Sequence, residues 1–206
     1  MRAAPALCLA LLAAPLTARA DPPSTAPPSI TLDPRLDLLE RDATHARVWF
    51  WGFTAAYGLA AVAQTTFALL VDDDGLRVDA IVGAASAGLA VGGMIISPVP
   101  RVWRAASRAR AGGDLDLALT EAAEAERQGR AWYNHVLVGV VSVAAGLTLW
   151  LGYDRPVSAI ITFAQDAVIG ELNLWLIPTR SLNHRRSAVA WSLAPSLNGA
   201  SLIAVW

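Results

Sequence analysis

Residues 157–178 read VSAIITFAQDAVIGELNLWLIP, a run long enough to cross a bilayer that nevertheless carries two carboxylates, Asp166 and Glu171. About 20 mostly apolar residues are what a transmembrane helix needs, and an ionisable side chain inside one is costly enough to mark a functional position. At about 100° per residue, Ser158, Thr162, Gln165, Asp166 and Asn173 share one third of the circumference, with Gly170 at its edge. Such a stripe faces protein or water rather than lipid. Glu171 projects to the opposite side and needs a partner of its own, so the helix is expected between two neighbours or at a subunit interface.

Three further apolar runs precede it. Together they predict an all-α membrane protein, a bundle of four transmembrane helices at 48–71, 80–97, 132–151 and 157–178, with an extramembrane helical hairpin over 98–131. A hydrophobic content of 55% in 206 residues is too high for a typical soluble domain. The formal net charge of −1 gives no whole-chain attraction to nucleic acid, and no such partner is expected. Apart from three histidines every basic residue is arginine, which with the abundant alanine points to the coding bias of a GC-rich bacterial genome.

In the first span Trp49 and Trp51 are expected at the membrane interface. Gly52, Ala56, Ala60 and Gln64 recur every four residues, a small-residue face that lets helices approach, with Gln64 hydrogen-bonding across the contact. Ala80, Ala84, Gly88 and Gly92 repeat the pattern and predict that the second span is the most closely packed. The intervening Asp72-Asp73-Asp74-Gly75 lacks the distal carboxylate of a calcium loop and reads as a solvated turn. Ser86 sits in a pattern short of a nucleophile elbow and has no assigned base, so no enzyme activity is expected.

Beyond Pro98 and Pro100, Arg101, Arg104 and Arg108 form a stripe that can contact lipid headgroups. The alternative is an internal pairing. Asp114 can cap a following helix whose Asp116, Glu121, Glu124 and Glu126 could face those arginines. The third span opens on Trp132-Tyr133-Asn134-His135, which places His135 one turn inside. Because the fourth span runs back, Glu171 and Asn173 should lie at the depth of His135. The expected His135–Glu171 pair reads first as a clamp and second as a proton-sensitive pair.

Residues 1–20 read as a secretory signal peptide with Ala18-Arg19-Ala20 before the cleavage point, and Cys8, the single cysteine, falls inside it. Residues 21–47 combine a proline-rich tether with a short amphipathic helix, so the membrane domain runs over 48–178. Residues 179–206 make a basic flank, with Arg180, His184, Arg185 and Arg186, and an apolar tail. Pro195 and Asn198-Gly199 in that tail predict a short β-hairpin or extended segment. His45, His135 and His184 lie on one side of the bundle without ligand spacing, so neither metal nor cofactor is expected.

Gly170-Glu171-Leu172-Asn173-Leu174 followed by Pro178-Thr179, with Gly152-Tyr153-Asp154-Arg155 between the last two spans, resembles a pattern in small four-helix membrane proteins of GC-rich bacteria. These carry no assigned activity. The resemblance covers residues 48–180 and implies a fold and no chemistry.

Two signals oppose each other on orientation. The signal peptide exports the 98–131 hairpin and the tail, whereas nearly all arginines lie on that same side and the positive-inside rule makes it cytoplasmic. The exported reading is preferred, because the charged start and the cleavage pattern form one unit. The expectation is a multi-pass protein of the bacterial inner membrane, an envelope-associated interaction or structural module in contact with lipids and with a second copy or an envelope protein. Asp166, Glu171, Gln165, Asn173, His135 and Gln64 would form its intramembrane polar network. The alternative is a small transporter or proton-coupled channel subunit that uses Asp166, Glu171 and His135.

Overall fold

The computed structural model describes residues 33–187, 190–196 and 199–205, with side chains up to His184. The expected signal peptide, the tether up to residue 32 and the Asn198 turn lie outside the described residues. Among the described residues seven helices follow in order: α1 (Pro34–Leu70), α2 (Asp74–Ile96), α3 (Pro100–Arg110), α4 (Leu115–Gly129), α5 (Trp132–Leu147), α6 (Pro156–Trp175) and α7 (Arg180–Ser187). α5 ends in a π-helical turn, Thr148–Gly152. In the tail only backbone is described, with Ala190–Ser196 antiparallel to Gly199–Val205.

The helix starts follow local chemistry. Asp33 accepts from the Arg35 amide with Pro34 at the first helical position of α1, Asp73 accepts from the Leu76 amide at α2, and Asp114 accepts from the Asp116 and Leu117 amides at α4. The acids of the 72–75 turn thus cap a helix. Four stretches, within Pro34–Leu70, Asp74–Arg110, Leu115–Gly152 and Pro156–Trp175, are long and apolar enough to cross a membrane. Their side chains point outward: Leu59, Leu69, Ile96, Val157 and Ile160 are all more than half exposed. This is the surface that lipid would cover.

The hydrophobic core sits at one end instead. There Leu39, Val99, Val102, Leu119 and Ile177 are buried among alanines of α1, α3 and α4, whose small side chains let the helices approach. The amphipathic segment and the first span are one 37-residue helix rather than two elements. At 1.5 Å per residue this rod is about 55 Å long, and its first turns extend into that end layer. The expected hairpin over 98–131 is α3 against α4, which share this core.

In the spanning part α1 packs on α2 and α5 on α6. The small-residue faces make these contacts only in part: Gln64 lies over Gly83 of α2 and Ala80 is buried, but a Cβ on Gly52, Gly88 or Gly92 would meet nothing within 4 Å. In α2 the buried positions are Ala80, Ala87 and Met94, seven apart. A four-residue repeat drifts about 40° per step and walks off the contact, while a seven-residue repeat drifts only about 20°. Close approach occurs at Gly170, where a Cβ would come within 2.5 Å of Val138 Cγ1, and at Gly146, against Ala159.

Trp49 is also placed differently from the expected interface anchor. It is 6% exposed, and its Nε1 donates to the Asn173 carbonyl at 2.9 Å. Trp51, 61% exposed, faces outward.

Candidate functional site

The two spanning hairpins are tied to each other at both ends. At the end away from the core, Arg155 donates from Nε and Nη2 to the two oxygens of Asp79, at 2.9 and 2.7 Å, and Ser158 Oγ adds a third bond to Asp79 Oδ2 at 2.9 Å. A planar guanidinium matched to a carboxylate in this way fixes orientation as well as distance. Ser158, first in the polar stripe, is therefore spent on this clamp. At the core end, Trp49 and the α3–α4 layer perform the same task.

Between the ties the hairpins part around a cavity of about 440 Å³. Its polar lining includes Gln64 and Tyr57 from α1, Ser86 from α2, Asn134 and Ser142 from α5, and Gln165, Asp166 and Asn173 from α6. Asp166 sits halfway along α6 with Ser86 as its side-chain partner, and its Oδ2 is buried with no hydrogen-bond donor. Asn173 Oδ1 is unsatisfied in the same way. The Asn173 amide nitrogen is engaged, donating to Tyr57 Oη at 3.2 Å and lying 3.6 Å from Met94 Sδ. The Gln64 amide covers Gly83, where an added Cβ would collide with Oε1.

The predicted polar network thus divides in two. Gln64, Gln165, Asp166 and Asn173 line the cavity, whereas Glu171 and His135 do not. These last two pair with each other, His135 Nδ1 lying 2.8 Å from Glu171 Oε2, each about one third exposed. Trp175 packs edge-on against the His135 ring and carries Arg130 over its own face.

The arginine stripe faces α4. Arg108 pairs with Glu121 and Arg101 donates to Gln128 Oε1 at 3.3 Å, with Arg104 lining the same groove. Glu124 lines that groove too and also binds Arg127, whereas Asp116 binds Arg35. Glu126 leaves the surface entirely.

Glu126 and Asp42 are fully buried in the end layer, where their carboxyls meet. Asp42 Oδ2 accepts from the Ser181 amide at 2.9 Å and the Ser181 hydroxyl at 2.6 Å, and Glu126 Oε2 accepts from the Leu182 amide at 2.8 Å. Asp42 Oδ1 and Glu126 Oε1 take no bond from any N–H or hydroxyl. One proton between the two carboxyls resolves this, donated from Glu126 to the Asp42 carboxylate. Burial first, then the Asp42 carboxylate, push Glu126 up to about 9. The pair holds the first amides of α7, the site where helix donors lack intrahelical partners.

Reasoning from sequence missed Asp42 and Ser181, and assigned Glu126 to the arginines. No periodicity marks them, because charged residues on amphipathic helices read as solvated. Asp79 and Arg155 left a usable signal: opposite charges near the starts of two helices that begin on the same side. Among the described residues no three His, Cys, Asp or Glu side chains gather as a metal site needs.

The arrangement defines a small helical protein with four candidate membrane spans. Compared with family models, curated proteins and solved structures, the chain finds no match, so no family is identified.

Proposed function

We propose that this is an integral protein of the bacterial inner membrane whose bundle admits a small solute into the cavity around Asp166, as a transporter or channel subunit does. One observation carries the reading: Asp166, an acid halfway along a spanning helix, is among the residues that line the cavity between the hairpins. An ionisable side chain at that depth is costly enough to mark a functional position. The two ties at the ends of the hairpins leave the middle apart around it. His135 and Glu171 take no part in this site and act as a clamp between α5 and α6.

The reading as an interaction module, with a second copy or an envelope protein as partner, draws support from the end layer. Its α3–α4 hairpin and buried core exceed what anchoring four spans requires.

Cysteine accessibility tests the solute reading. With Cys8 replaced by serine, a cysteine is placed at Ser86 or Gln64 in the cavity, or at Leu59 on the outer face, and the protein in liposomes is treated with a small water-soluble thiol reagent. Solute access predicts fast labelling of Ser86→Cys and Gln64→Cys and slow labelling of Leu59→Cys. Cavity positions as slow as Leu59→Cys would mean a sealed, purely structural cavity.

A further inference from the structure

We infer that the core end of the bundle docks on anionic phospholipid headgroups through Arg47, Arg104, Arg130 and Arg180, which stand where the spans meet the end layer. The inference rests on the membrane part of the proposed function and not on the cavity. A division among the arginines carries it. Those farther from the spans each have a carboxylate: Arg35 has Asp33 and Asp116, Arg41 has Asp37, Arg108 has Glu121, Arg110 has Glu40 and Arg127 has Glu124. At the opposite end of the bundle Arg77 pairs with Asp74 and Arg155 with Asp79. Among the described residues no carboxylate pairs with Arg47, Arg104, Arg130 or Arg180. Arg47, Arg104 and Arg180 are exposed, and Arg130 is half-buried.

Contacts between the helices set the level of these four. Glu40 accepts from Arg110 at 2.8 Å and Phe50 meets Trp103 at 5.5 Å between ring centres, so α3 runs antiparallel to α1. Arg47 therefore falls level with the turn of α3 that carries Arg104. Arg130 follows the last residue of α4 and lies over the Trp175 ring, 5.2 Å from its centre. Arg180 opens α7, whose Leu182 amide is bonded to Glu126, one turn before Arg130. Tryptophans mark the same level independently. Trp51 lies one turn beyond Arg47, Trp132 two residues after Arg130, and Trp175 beneath it, all more than half exposed. Indole rings exposed at the end of an apolar span belong at headgroup depth.

A guanidinium at that depth meets phosphate oxygens, which its planar fork of N–H donors matches. Charge then selects among lipids. Each basic side chain near an anionic surface strengthens association about fivefold, whereas a zwitterionic headgroup brings a cation of its own. The acids nearest Arg104 do not take its charge: in their shared groove Glu121 is bonded to Arg108 and Glu124 to Arg127.

The tryptophans supply the readout. The full chain is reconstituted in phosphatidylcholine vesicles with a small fixed fraction of lipid carrying brominated acyl chains, either phosphatidylglycerol or phosphatidylcholine, and tryptophan fluorescence is recorded. Bromine quenches the rings it touches. The expected result is a preference for phosphatidylglycerol of about fivefold or more, which salt weakens by screening. Arg47→Gln, Arg104→Gln, Arg130→Gln and Arg180→Gln combined should remove the preference, and lysine at the same four positions should keep most of it. Removing two of the outer pairs, by Asp37→Asn with Arg41→Gln and Glu40→Gln with Arg110→Gln, should leave it unchanged.

Equal quenching by the two brominated lipids in the wild-type chain overturns the inference, and that comparison needs no variant to fold. A preference that survives the four glutamines overturns it too. Glycerol phosphate, added at constant ionic strength, separates lipid from soluble phosphate: if it abolishes the preference, the surface binds soluble phosphate and the lipid falls. Quenching by neither lipid would mean that the chain is not embedded, which removes the membrane reading itself, whereas equal quenching removes the headgroup surface alone.

Discussion

The Glu126 carboxyl lies against that of Asp42 inside the end layer, and between them the two acids hold the Ser181 and Leu182 amides that open α7. This relationship joins α1, α4 and α7 through groups that ordinarily repel. It holds because one of them keeps its proton. Exposed in the unfolded chain, Glu126 titrates near 4.5, whereas in the fold it is pushed up to about 9. Between those values the folded state binds more protons than the unfolded state, so stability is complete below about pH 4.5 and declines as pH rises towards 9, by at most about 1.4 kcal/mol per pH unit. Glu126→Gln keeps a donor towards Asp42 and an acceptor for Leu182 without any proton to lose. Its melting temperature should vary less over pH 5–9 than that of the wild type and exceed it at the alkaline end. Parallel curves for the two proteins would show that the proton is not on Glu126.

At the opposite end the Asp79–Arg155 bridge is three-quarters buried and bidentate. Exposed pairs contribute less than about 1 kcal/mol, while removing one member of a fully buried pair costs about 3–5. An intermediate loss of about 1–3 kcal/mol is expected for Arg155→Ala, which also leaves Ser158 as the one side-chain donor to Asp79. Asp79→Ala with Arg155→Ala should cost clearly less than the sum of the two. A double-mutant cycle measured by denaturation in detergent gives the coupling, and additive losses would remove the bridge from the account of how the hairpins are tied.

How much of this was legible in the sequence depends on what each residue type signals. The four spans follow from length and apolarity alone, because lipid leaves a helix few alternatives. His135 and Glu171 were found together because a polar residue in an apolar run stands out and antiparallel helices fix its depth. Asp42, Glu126 and Ser181 stand in segments where polar residues are ordinary, so burial there leaves no trace. The cavity was half legible. The stripe on α6 named Asp166 and Asn173, but which acceptors go unsatisfied depends on where Trp49 and Arg155 point, and that is decided by tertiary packing.

The glycines provide the last prediction, since one residue type occupies two kinds of position. Gly170 has Val138 where its Cβ would be, at 2.5 Å from Cγ1, and valine is stiff about χ1, so it yields only by moving α5. Gly170→Ala should cost about 1–3 kcal/mol, as overpacking does. Adding Val138→Ala should return part of that loss, because it removes the methyl groups in the way. Gly88 and Gly92 have open space at the same atom. Alanine there gains helix propensity of up to about 1 kcal/mol at no steric cost, so Gly88→Ala and Gly92→Ala should leave stability unchanged or raise it. Thermal unfolding of the purified variants in one detergent separates the two classes. If Gly88→Ala destabilises as much as Gly170→Ala, then Gly88 meets a surface outside this chain, and a second copy packed on that face of α2 becomes the first place to look.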